Sequence, residues 1–296
     1  MLPDILLFIT ALIWGLAFVA QRVGMNFLGP FTYNGIRFIL GALPLVPLII
    51  ILRKQKRRAD GGSITPMPWA AGVGVGAVLF LAASLQQVGL VYTTAGNAGF
   101  ITGLYVVFVP LLGLFGGQKP GRARWAGALL AAAGMYFLSV GAGFHVNPGD
   151  LFILGSALFF AVHVQVIGHL AGKFDALEIS FLQYASVGLF SLITAAVFEQ
   201  TPAGAIRLAG TAILYGGLGS ITVAYTLQII AQRRAAPTHA AILLSLEGTF
   251  AAVGGWLILH EILSPRALFG CALMLSGMIL SQLAGRRRDT RKKPAG

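Results

Sequence analysis

Charge is what this chain has least of. Only 10% of its 296 residues are Asp, Glu, Lys or Arg, and nine of them are acidic. A soluble domain carries about 25% charged residues. With 57% hydrophobic residues and a mean hydropathy of +0.83, no soluble-domain reading survives. Cysteine is nearly absent. The lone Cys271 rules out an internal disulfide and gives no metal cluster. There is no Walker A sequence and no soluble domain of any size, which excludes ATP drive by this chain alone. No His-x-x-x-His pair and no pair of nearby aspartates is present. A membrane-embedded enzyme would need such a set, so no catalytic residue, metal or cofactor is assigned. Strands of alternating polarity are missing as well. The apolar runs are continuous and long, which excludes a β-barrel.

What is present is a series of ten apolar segments: 4–21, 31–52, 67–90, 93–116, 123–141, 150–170, 177–198, 208–232, 238–259 and 265–285. The expected fold class is all-α, a polytopic membrane protein with ten transmembrane helices. Basic residues mark some boundaries, as in Arg53-Lys54-Gln55-Lys56-Arg57-Arg58 and Lys119-Pro120-Gly121-Arg122. Gly61 to Gln118 carries no charge over 58 positions. As one helix that run would be roughly 87 Å long, against a hydrocarbon core of about 30 Å. It must turn back, and Tyr92-Thr93-Thr94-Ala95-Gly96 is its most polar and flexible place. The first segment lacks a basic n-region, with Asp4 where one would be, so it is read as a helix rather than a signal peptide.

The net charge of +12 would suggest nucleic acid in a soluble protein. Here the basic residues cluster in a few loops and at the C-terminus, which suggests orientation and no nucleic-acid partner. Seventeen Lys and Arg fall in the loops after segments 2, 4, 6 and 8 and in the C-terminal stretch, against three in the other loops. Both termini are therefore expected in the cytoplasm, and the protein in the plasma (bacterial inner) membrane, with the lipid bilayer as its surroundings. A homodimer is left open.

The two halves repeat. Asp4-Ile-Leu-Leu-Phe-Ile-Thr-Ala-Leu-Ile-Trp lines up without gaps on Asp150-Leu-Phe-Ile-Leu-Gly-Ser-Ala-Leu-Phe-Phe. Arg37-Phe38 falls on Gln183-Tyr184, Leu85-Gln86 on Leu227-Gln228, Phe108 on Phe250, and Gly134-Met135 on Gly277-Met278. Five is odd, so the second half must enter the membrane upside down. Inverted repeats give many secondary transporters two alternative states around a midplane site. The division expected is 1–145 for the first five-helix repeat, 146–285 for the second, and 286–296 for a basic cytoplasmic tail.

The sequence resembles the drug/metabolite transporter superfamily, specifically its EamA-type members. The resemblance rests on the two halves, on Trp14-Gly15, on Arg37, and on the run Leu246-Glu247-Gly248-Thr249-Phe250-Ala251-Ala252 through Gly255-Trp256 to His260-Glu261. In such proteins that run usually reads Leu-Glu-Pro and ends in Gly-Glu. Here Gly248 stands for the proline, His260 for the glycine, and Gln118 for the glutamate at the matching end of segment 4. The resemblance implies export or exchange of small metabolites, often amino acids. It also implies a central cavity lined by helices 1, 3, 4, 6, 8 and 9. The expected function is a secondary active transporter of a small-molecule substrate, by alternating access, coupled to protons or working by exchange. A lipid scramblase or channel is the alternative.

Candidate site residues follow from polarity at depth. Glu247 lies roughly 10–14 Å from either end of segment 9, near the midplane. A charge there costs at least a few kcal/mol unless it faces a cavity or a partner. It is a candidate for coupling or substrate contact, or else a structural glutamate paired within the bundle. Arg37 could hold a substrate carboxylate as a fork, snorkel to the surface, or tie helices together. His163 could relay protons to Glu247 or satisfy helix packing. Trp14, Tyr105 and Phe160 fall at midplane depth, and Tyr225 joins them either as an aromatic wall suited to amphipathic or aromatic solutes or as ordinary core or lipid-facing packing. Asn97 and His239 are repeat mates at helix starts, and Gln86 and Gln228 are mates at helix ends. All four are gate candidates, with helix capping as the plainer account. The many glycines, including Gly72 to Gly76 and Gly216 to Gly219, suit close helix packing.

Overall fold

The computed structural model describes residues 2–59, 66–115, 122–139 and 147–289, and all its regular structure is helical. Gly117, Gln118, the proposed boundary at 145/146 and the tail from 290 onward lie outside the described residues. Eight helical spans among the described residues are long and apolar enough to cross a membrane. The bundle is apolar outside as well as inside. Phe198, Leu129 and Val197 are 78%, 71% and 69% exposed, a surface that lipid accepts and water does not.

The first span is α1 (Leu2–Gly24). The second is bent into α2 (Pro30–Ala42) and α3 (Leu45–Ala59), with Pro44 at the bend, where its missing N–H interrupts the ladder. The third is α4 (Trp69–Tyr92), and the chain reverses at Thr93-Thr94, as the sequence predicts. Thr94 caps the next helix by accepting from Asn97 N. The fifth and tenth segments fold as α7 (Arg122–Ser139) and α15 (Pro265–Asp289), which pack chiefly against each other. The sixth and seventh are α8 (Pro148–Leu170), capped by Asn147, and α9 (Ala176–Phe198), capped by Asp175.

Three further apolar segments depart from single regular helices. The fourth breaks at Gly103-Leu104 into α5 (Ala95–Thr102) and α6 (Tyr105–Leu112). The ninth breaks at Ser245-Leu246 into α13 (Pro237–Leu244) and α14 (Glu247–Leu259). Tight i to i−3 bonds carry the chain through both breaks, Leu104 N to Ile101 O at 3.1 Å and Leu246 N to Leu243 O at 3.3 Å. In the register that pairs Tyr105 with Glu247, the two breaks fall at matching positions. The eighth span begins with the short α10 (Ala205–Leu208) and α11 (Gly210–Leu214). It continues as an 11-residue π-helix, Tyr215–Tyr225, and ends as α12 (Thr226–Gln232).

Carboxylates tie distant helix ends together. Glu199, just past α9, accepts from Phe31 N at 2.8 Å and from Thr32 N and Oγ1 at 2.7 Å, filling the donors that open α2. Glu261 does the same for α5, through Ala95 N at 2.9 Å and Gly96 N at 3.1 Å. At the other end of the α2–α3 and α9 pair, Arg53 bonds Glu178 at 2.8 Å.

Candidate functional site

The helices border a narrow cavity of about 460 Å³, counting all the empty space in it together with the solvent at its mouth. On α1, Trp14, Phe18 and Gln21 follow a helical spacing, so one stripe faces inward. The breaks in the fourth and ninth spans put Tyr105 and Glu247 at the first positions of α6 and α14, facing the same space. The Tyr105 hydroxyl stands beside the Glu247 carboxyl. Glu247 is 4% exposed.

The π-helix shapes the opposite wall. Its carbonyls accept from α1, with Trp14 Nε1 donating to Ser220 O at 3.2 Å and Thr10 Oγ1 to Ala224 O at 3.3 Å. Tyr215 Oη donates back to Ile13 O at 3.0 Å. At its end, Tyr225 sits among the rings of four elements. Trp14 is 4.4 Å away by ring centroid, His163 5.9 Å and edge-on, Tyr184 6.1 Å and Phe38 6.3 Å. Such offset and edge-on contacts lock the wall aromatics against one another.

The polar lining is only partly satisfied. His163 Nε2 meets Gln183 Oε1 at 2.9 Å. Gln86 Nε2 donates to Thr102 Oγ1 at 3.2 Å. Gln228 Nε2 donates to Gln232 Oε1 at 2.9 Å. Among the described residues, Tyr105 Oη, Gln21 Oε1 and Gln228 Oε1 have no partner. Buried polar atoms of this kind are normally bonded, so these three are exceptions that call for a partner.

The sequence profile of the EamA-like transporter family matches residues 1–140 and 147–283. The chain belongs to that family. An uncharacterized transporter of Archaeoglobus fulgidus is 34% identical to this EamA-like chain over 285 residues, covering 95% of the chain and 85% of the relative. A probable terminal-alkyne amino-acid exporter of Streptantibioticus cattleyicolor is 26% identical, covering 96% and 95%. One solved crystal structure superposes with a TM-score of 0.66 over 97% of this chain and 98% of its own, at 20% identity, a likeness of fold. The eight apolar spans and the transporter relatives make this an integral, multi-pass membrane protein.

In this EamA-like chain, nine of the eleven residues singled out from sequence line the one cavity: Trp14, Arg37, Gln86, Tyr105, Phe160, His163, Tyr225, Gln228 and Glu247. Asn97 and His239 do not. Asn97 lends its backbone N–H to the Thr94 cap at 3.1 Å. His239, near the start of α13, bonds Asp4 at the start of α1, Nε2 to Oδ1 at 2.7 Å. Asp150, which the sequence aligns with Asp4, joins α8 to the start of α5, with Thr93 Oγ1 donating to Asp150 Oδ1 at 2.6 Å.

Phe18, Gln21, Thr102, Val164, Ser220 and Leu244 also line the cavity and were not foreseen. For Phe18 and Gln21 the signal was available, since they stand four and seven positions after Trp14 on one helix face. The place of His260 explains the family glycine. Its backbone is left-handed, φ 55° and ψ 31°, the conformation glycine adopts without strain.

Proposed function

We propose that this chain is a secondary carrier of small organic metabolites, most simply an exporter, working by alternating access. Protons or a second solute would supply the coupling. The observation that carries the reading is the cavity itself: an aromatic-walled space that gathers residues from both ends of the chain around a single carboxyl, Glu247. The family and the amino-acid exporter among the relatives support a small-metabolite cargo.

In this reading the ten segments act as two inverted five-helix halves in the plasma membrane, with both termini in the cytoplasm. The Asp4–His239 contact then closes the cytoplasmic end, and Asp150–Thr93 the outer end. Their positions match in the repeat, Asp4 with Asp150, and opening one while holding the other would expose the cavity to one side at a time. The broken fourth and ninth spans supply the joints, as discontinuous helices do in other carriers. Glu247 would carry the proton, because the charged form of a carboxyl is costly in apolar surroundings and a change of access moves it between two baths.

The test is counterflow in liposomes holding the purified protein, with and without a pH gradient. Saturable exchange identifies a carrier. Glu247→Gln is expected to abolish accumulation driven by the pH gradient while leaving a folded protein. Full gradient-driven accumulation in that variant would remove Glu247 as the coupling group, and non-saturating flux in the wild type would favour a channel.

A further inference from the structure

We infer that the Arg37 guanidinium is the anchor for a carboxylate on the transported solute. This inference rests on the carrier reading above and names the substrate class of its cavity. Six carboxylates in the described chain, Asp4, Asp150, Asp175, Glu178, Glu199 and Glu261, each hold a hydrogen-bond donor. None of them is paired with Arg37, and no ion pair joins Arg37 to Glu247. Arg37 is nevertheless 3% exposed and borders the cavity. A buried guanidinium without a counter-ion is costly, and such a group is kept inside a membrane where a ligand or pathway needs it.

The surroundings hold the group in place without neutralising it. Its Nε donates to Asn34 Oδ1 at 2.9 Å, and Asn34 Nδ2 is fixed on Ala83 O at 3.0 Å. The guanidinium carbon lies 5.1 Å from the Phe38 ring centre and 5.4 Å from that of Tyr33. The side-chain stem passes over Gly216 of the π-helix, where an added Cβ would stand 2.9 Å from Tyr33 Oη and 3.2 Å from Arg37 Cδ. Only Nε is engaged, so both Nη groups remain without a protein partner among the described residues. Two free parallel donors on a planar cation fit the two oxygens of a carboxylate. A singly charged carboxylate cancels the one cation of the cavity. A dianionic phosphate would leave an excess charge among the aromatic walls of Trp14, Phe160 and Tyr225.

The experiment is counterflow with the full-length protein in liposomes, using labelled amino acids and their deamino acids, each paired with its uncharged or carboxyl-blocked amide. Acids are expected to exchange at least about 10-fold better than their amides, the range of about 10–100-fold that one charge-assisted pair supplies. Arg37→Gln should lower exchange of the acid to the level of the amide, and Arg37→Lys should restore part of it. A structural role alone would lower acid and amide together and leave their ratio unchanged. Thermal melting of each variant reports its folding. Should Arg37→Gln not fold, the wild-type acid-to-amide ratio and the Gly216→Ala variant, expected to narrow that ratio by shifting the stem, decide the matter. Equal exchange of acid and amide, or an acid KM in Arg37→Gln within twofold of wild type, overturns the inference and leaves the carrier reading standing. No exchange of any solute by well-folded wild-type protein overturns both.

Discussion

Gly15 sets how closely α1 can approach α14, and a single methyl group there tests the geometry around Glu247. A Cβ on Gly15 would overlap the Cβ of Phe250, and would stand 2.8 Å from Glu247 O and 3.0 Å from Ala251 N. Non-bonded atoms rest at about 3.5–4.0 Å, so α1 and α14 would have to part by roughly 1 Å. Two of the three obstacles are backbone atoms, which no rotamer change can move aside. Overpacking of this kind costs about 1–3 kcal/mol, which lowers the melting temperature by roughly 2–10 °C. Gly74 on α4 is the control, because a Cβ there meets nothing within 4 Å. Gly74→Ala should be neutral or stabilising by up to about 1 kcal/mol. Both variants are read by thermal melting in detergent and by counterflow. Because Gly15 presses on the carbonyl of Glu247 itself, Gly15→Ala should also depress exchange when measured well below its melting temperature. The reasoning is refuted if Gly15→Ala melts at or above wild type, or if Gly74→Ala proves the more damaging.

Two further substitutions probe the helix ends. His260→Gly relieves a left-handed residue at the close of α14. It should stabilise by about 1 kcal/mol, visible as a higher melting temperature. Glu199→Ala removes the acceptor of three donors at the start of α2. It should cost about 1–2 kcal/mol, and an unchanged melting curve would refute the assigned role of the carboxylate as a cap.

The helices were legible because their signals are local and large. Long apolar runs, a polar turn at Thr93-Thr94, and Pro30, Pro148, Pro237 and Pro265 at helix starts each carry their own physical cause. Much of the cavity was legible too, since a polar or charged group at midplane depth has few places to face except inward. The two helix breaks were not. Neither Gly103-Leu104 nor Ser245-Leu246 contains a proline, and Pro110, which the fourth span does contain, lies beyond its break inside α6. Nothing in the run Tyr215–Tyr225 announces a π-helix either, since its glycines fit close packing in any helix. The caps by Glu199 and Glu261 reach across 167 and 166 positions, beyond any rule of spacing.

The pairing of α7 with α15 bears on how the chain is made. Their backbones touch at two crossing points, where Gly134 meets the Gly270 carbonyl and Gly277 meets the Gly127 carbonyl. Among the described residues, α7 otherwise meets the bundle chiefly through short stretches of α5 and α6. Its partner emerges about 125 residues later, which at ribosomal rates is roughly 6–25 s of synthesis. Through that interval α7 sits in the membrane with its glycine face open to lipid or to an insertion chaperone. A ribosome that stalls before Pro265 therefore leaves α7 without its partner. The last helix is the clasp of the assembly, and quality control that senses an unpaired α7 would sense an incomplete chain.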